Sequence, residues 1–75
     1  MKENDYLILN NIGRCYDKLK DYQKAIEYFT KSFSISGEKY YIAIYNQGMS
    51  LLKVKNKKFE AKQIFEGIIE ELFDL

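Results

Sequence analysis

Apolar side chains recur at steps of three and four along the whole chain, the spacing of an α-helical face rather than the alternation of a strand. Leu9, Ile12, Tyr16 and Leu19 place one face on a first helix that starts near Asn4 or Asp5, either of which is a good N-cap. After a short Leu19-Lys20 turn, Asp21 offers a second N-cap, and Tyr22, Ala25, Ile26, Phe29 and Phe33 form the next stripe. That helix is expected to stop around Ser36-Gly37, where glycine suits a left-handed C-cap. A third helix carries Tyr41, Ile44, Gln47, Gly48, Leu51 and Leu52 to about Val54, and Asn56 with its lysine neighbours makes the following turn. The fourth runs from about Lys58 to Phe73, with Phe59, Ala61, Ile64, Phe65, Ile68, Ile69 and Leu72 apolar. Connections of a few residues make successive helices antiparallel, so the pattern predicts an all-α chain of two helical hairpins in a row.

The two hairpins repeat each other. Gly13 aligns with Gly48 in the first helix of each, and Ala25 with Ala61 and Phe29 with Phe65 in the second, an internal period in the mid-thirties. Small residues at Gly13, Gly48, Ala25 and Ala61 let the helices of a hairpin approach closely, and Tyr16 and Phe29 are expected to fill the gaps between hairpins. Tyr16, Tyr22, Phe29, Phe59 and Phe65 all read as core.

In its first half the chain reads Leu9-x2-Ile12-Gly13-x2-Tyr16 followed by Ala25-x3-Phe29, and this resembles the tetratricopeptide repeat, whose pattern is Trp-x2-Leu-Gly-x2-Tyr then Ala-x3-Phe then Pro. The second half reads Ile44-x2-Gln47-Gly48-x2-Leu51 and Ala61-x3-Phe65, a weaker match, with Gln47 in place of the leucine and an irregular turn from Lys53 to Phe59. Gly37 and Phe73 stand where the family commonly has proline. The resemblance implies one repeat domain over 1–75, with repeats at about 5–37 and 39–73, stacked as a short right-handed superhelix.

The resemblance also implies a concave groove lined by the first and third helices that holds an extended peptide or another protein. Its inward face carries Leu7, Asn10, Asn11, Arg14 and Lys18, then Ile42, Tyr45, Asn46, Met49 and Lys53. Asn11 and Asn46 stand two residues before their glycines, where peptide-binding members of the family often have asparagine, whose amide both donates to and accepts from a peptide backbone. The version that clamps a C-terminal carboxylate places a lysine where this chain has Asn10, so the full clamp is missing, although Arg14 and Lys18 supply charge.

Composition mostly excludes. Twelve Lys and Arg against eleven Asp and Glu give a net charge of +1, no field for nucleic acid or an anionic membrane. The lysines at 53, 55, 57, 58 and 62 read as a solvated turn. One cysteine and no histidine leave no internal disulfide, no zinc ligand set and no base to activate Cys15. Glu60, Glu66, Glu70, Glu71 and Asp74 are strung along one helix rather than held across a cleft. No enzyme, cofactor, metal or small-molecule substrate is therefore expected. With neither an apolar run long enough to span a bilayer nor a signal-peptide core, the chain reads as cytoplasmic.

A chain this short normally relies on oligomerisation or very regular helix packing when it lacks disulfides and metals. Ile68, Ile69, Leu72 and Phe73 leave the last helix apolar with no later segment to cover it, which predicts association through that end, with a homodimer, a partner chain or further repeats as the cover. The sequence thus points to a peptide- or protein-binding module. The alternatives are an assembly element acting through the fourth helix, or part of a longer protein such as a peptide-sensing regulator.

Overall fold

The computed structural model describes residues 5–73 and contains four helices: α1 (Asp5–Lys18), α2 (Tyr22–Ile35), α3 (Tyr41–Leu52) and α4 (Lys58–Phe73). Each packs on its sequence neighbour, and α1 also touches α3, so two antiparallel hairpins stack side by side. Asp5 opens α1, while Asn4 and the tail at Asp74 and Leu75 lie outside the described residues. Asp21 caps α2, its Oδ1 accepting from the Lys24 N–H at 3.3 Å. The third helix ends at Leu52, two residues before the expected Val54, because the Lys53 and Val54 N–H groups bond back three residues, to Ser50 and Leu51, and tighten the last turn.

Both α1 and α2 end in a doubly bonded left-handed cap. Past α2, the Glu38 N–H reaches the Phe33 carbonyl and the Gly37 N–H the Ser34 carbonyl, both at 3.0 Å, with Gly37 at φ +73°. Past α1, the Asp21 N–H reaches Tyr16 at 2.9 Å and the Lys20 N–H reaches Asp17 at 3.0 Å, with Lys20 at φ +64° in the glycine position. The inter-repeat loop does not rest on glycine alone. The Ser36 hydroxyl donates to the Phe33 carbonyl at 2.7 Å and accepts from the N–H groups of Lys39 and Tyr40. Tyr40 then meets the ring of Tyr6, centroids 4.9 Å apart, tying the loop to the start of α1.

Each hairpin closes on its glycine. A Cβ built on Gly13 would sit 2.6 Å from Phe29 Cε1, and one on Gly48 would sit 2.7 Å from Phe65 Cε1. Phe29, Ala25, Ala43 and Ala61 are buried, and the buried Ser32 hydroxyl donates to the Tyr6 carbonyl at 2.6 Å. Three aromatic or aliphatic expectations change. Tyr16 does not fill a gap between hairpins but stacks on Tyr28 within the first, centroids 5.5 Å apart. Leu19 sits in the turn and is 74% exposed, since α1 stops at Lys18 and takes it off the helical face. Phe59 is 70% exposed: at the start of α4 it lies on a side that no other described residue covers.

Candidate functional site

The repeats are joined along the α1–α3 face by polar contacts that recur at the repeat spacing. Asn46 Nδ2 donates to Asn10 Oδ1 at 3.1 Å. One turn further on, the Ser50 hydroxyl donates to Asp17 Oδ1 at 2.8 Å, and Lys53 Nζ lies 2.8 Å from Asp17 Oδ2. Lys53 also lies over the Tyr22 ring, 5.5 Å from its centroid. Partial burial pushes the Asp17 carboxyl up, but the hydrogen bonds from Lys53 and Ser50 and the Lys53 charge outweigh it and hold the group below its ordinary value.

Around this seam the candidate residues divide. Arg14, Lys18, Asn46 and Met49 line one hollow with Asp17, Ser50 and Phe29. Asn11 lies on the outer side of α1, in a second hollow with Arg14, Cys15 and Lys18. Asn10 is 3% exposed and occupied by Asn46, and Lys53 is occupied by Asp17. The structure therefore pairs Asn46 with Asn10 rather than setting it beside Asn11, while leaving the Asn46 carbonyl oxygen outside that bond. On α3, Ile42, Tyr45 and Met49 are exposed at three- and four-residue steps, so they share a face, with Leu7 exposed on α1. Tyr45 leans on the Phe65 ring, centroids 5.7 Å apart, which fixes its position on the α4 side of that row.

The four residues grouped on the last helix also divide. Ile68 lines a hollow with Phe33, Tyr41 and Ile44, between α2, α3 and α4. Ile69 turns instead to a hollow with Leu52, Phe59 and Phe65, and Leu72 and Phe73 are exposed. Asp17, which centres the seam, was missed by the sequence reading. Its signal was present in the spacing, since Ser50 and Lys53 follow it at nearly one repeat period.

Comparison with known proteins agrees with this geometry. Two family models, each described as tetratricopeptide repeat, match residues 6–37 and 42–71. The chain belongs to the tetratricopeptide repeat family. It is also 42% identical over 64 residues to the response regulator aspartate phosphatase A of Bacillus subtilis (strain 168), a match over 80% of this chain and 17% of that protein. The chain thus spans about a sixth of the length of this curated relative. No solved structure matches. Tetratricopeptide repeats are protein-interaction scaffolds, and this chain carries two of them. Among the described residues no helix is long and apolar enough to cross a membrane.

Proposed function

We propose that the two tetratricopeptide repeats bind an extended peptide or a partner's extended segment along the α1–α3 face, without catalysing a reaction. The observation that supports this most is the exposed apolar row of Ile42, Tyr45 and Met49 beside the cations Arg14 and Lys18. A solvent-exposed apolar row edged by charge is characteristic of recognition surfaces. Its chemistry suits a peptide with apolar side chains spaced along an extended backbone and an acidic group at one end. The Asn46 carbonyl oxygen and the Asn11 amide, facing different hollows, would then contact different parts of the ligand rather than one shared peptide unit. The relative's name, a response regulator aspartate phosphatase, fits a reading of these repeats as the peptide-sensing part of a regulator. On that reading the relative's phosphatase activity is not attributed to the matched segment, which covers 17% of that protein.

The test is fluorescence anisotropy with labelled decapeptides that differ in apolar and acidic content. Tight binders should carry both features, and Tyr45→Ser and Arg14→Glu should each weaken them roughly ten-fold or more, the scale of a lost interface anchor. Binding that ignores both substitutions, or no binding by any peptide in the set, rejects the proposal.

A further inference from the structure

Among the described residues, α2 and α4 each pack on α3 but not on one another, which leaves an open groove of about 580 Å³ between them with α3 as its floor. Half-buried Phe33, Tyr41, Ile44, Ile64 and Ile68 make that surface apolar. Its rim is acidic. Glu38, Glu70 and Glu71 are exposed there beside one lysine, Lys39, and none of the three carboxylates makes an ion pair among the described residues. The chain as a whole carries a charge of +1, so the negative rim is a local segregation of charge rather than a consequence of composition. No α1 residue lines the groove, which sets it apart from the α1–α3 face.

Gly67 bears on the same groove. It lies within α4, lines the groove, and has nothing within 4 Å of where a Cβ would stand. Glycine is the least favourable residue in a helix interior after proline, and the first-repeat counterpart of Gly67, 36 residues earlier, is Lys31. Neither helix geometry, nor packing, nor the repeat therefore asks for glycine here. What it supplies is open space at the apolar surface, where a ligand side chain can approach the α4 backbone closely. Continued stacking of helices does not use this space. Asp17, Phe29 and Phe33 lie beside α3, and their second-repeat counterparts Leu52, Phe65 and Ile69 line a different hollow. A helix following α4 in the repeat order would settle there and leave the α2–α4 groove open. We infer that this groove binds a basic, amphipathic segment of a partner protein, with a bulky apolar side chain over Gly67 and a lysine or arginine on either side, facing Glu38 and the Glu70–Glu71 pair. Opposite charge around an apolar contact makes such a pairing selective, because an acidic segment of the same shape would be repelled.

The test uses the whole chain and three end-blocked peptides: Lys-Arg-Leu-Phe-Arg-Lys, a twin with serine for the leucine and phenylalanine, and a twin with glutamate for every basic residue. Titration followed by amide chemical shifts should place the first peptide at Phe33, Ile64, Gly67 and Ile68. The serine twin should bind about ten-fold more weakly, the scale of a lost anchor, and the glutamate twin should not shift the groove. Glu70→Lys and Glu71→Lys should each weaken the basic peptide about two- to five-fold, the range for an exposed ion pair, with the loss shrinking at high salt. Gly67→Leu separates binding from folding: leucine favours the helix, so the urea midpoint should rise while the groove shifts disappear. No groove shifts with the basic peptide, an affinity unmoved by Gly67→Leu, or sedimentation and shifts together showing that a second copy fills the groove would each overturn the inference. The apolar and acidic peptides proposed for the α1–α3 face should bind at the same time as the basic one, so failure here is distinguishable from failure there.

Discussion

Adding one methyl group should have opposite effects at two glycines of this chain. At Gly13 a Cβ would lie 2.6 and 2.7 Å from Phe29 Cε1 and Cδ1, well inside the separation of about 3.5 to 4.0 Å at which carbon atoms attract. Phe29 is the largest side chain in the core and only 1% exposed, so its ring cannot move far without displacing its neighbours. The helices must part by most of an ångström or the ring must leave its well, and overpacking of this kind costs about 1–3 kcal/mol. Alanine's better helix propensity returns about 0.8–1 kcal/mol. The net loss for Gly13→Ala is then about 1–2 kcal/mol, counting a strain term near the upper part of its range because the contacts are with a buried ring.

Gly67 is also in a helix, but nothing lies within 4 Å of its added Cβ. Only the propensity gain acts there, so Gly67→Ala should stabilise the chain by about 0.5–1 kcal/mol. Gly48→Ala should fall between the two, because Phe65 is only half-buried and has room to yield. Urea denaturation followed by far-ultraviolet circular dichroism measures all three. With a slope of roughly 1 kcal/mol/M for a chain this small, the midpoints should move down by about 1–2 M for Gly13→Ala and up by about 0.5–1 M for Gly67→Ala. Equal midpoints for these two variants would refute the close helix approach as the reason for glycine at position 13.

Three further perturbations probe the seams. Asp17→Asn should cost about 1 kcal/mol at neutral pH, discounted for the exposure of Lys53. Because folding lowers the Asp17 pKa, the stability it contributes is present above the ordinary carboxylate value and is lost as pH falls through the lowered one; chemical denaturation from pH 7 to pH 2 should show wild type and variant converging in acid. Ser32→Ala leaves the Tyr6 carbonyl without its buried donor and should cost about 1–2 kcal/mol in the same urea assay, with amide exchange speeding up at the start of α1. Lys20→Gly removes a side chain from a left-handed cap and should stabilise by up to about 1 kcal/mol, read as a rise in thermal midpoint.

The helices were legible because their signals are local and redundant. Ala25 and Phe29 lie on a stripe, follow a capping aspartate, and recur as Ala61 and Phe65 one period later, so independent features specify the same element. Leu19 and Phe59 were misplaced because periodicity assigns a residue to a face without showing where the helix ends or whether anything covers that face. The seam between repeats was less legible still. Asn10 looked like a ligand contact from its place on the helix, yet its burial follows from where Asn46 happens to reach, a tertiary fact absent from either residue's own neighbourhood. Asn11 and Asn46 are equivalent in sequence and unlike in surroundings, since one has a helix in front of it and the other does not.

That asymmetry has a physical consequence for how two repeats behave. If both hairpins had identical faces, a copy of the chain would add to either end and stacking would continue without limit, because a head-to-tail contact does not close on itself. Here the positions that decide stacking differ between the repeats: Ile8 against Ala43, Asp17 against Leu52, and Tyr22 against Lys58. The substitutions leave each hairpin's internal glycine–phenylalanine contact untouched, so they change what a face accepts without changing how the hairpin folds. Folding and recognition therefore draw on different positions of the same repeat. The shared positions make the hairpin, and the ones that differ make the faces of the two repeats chemically unlike.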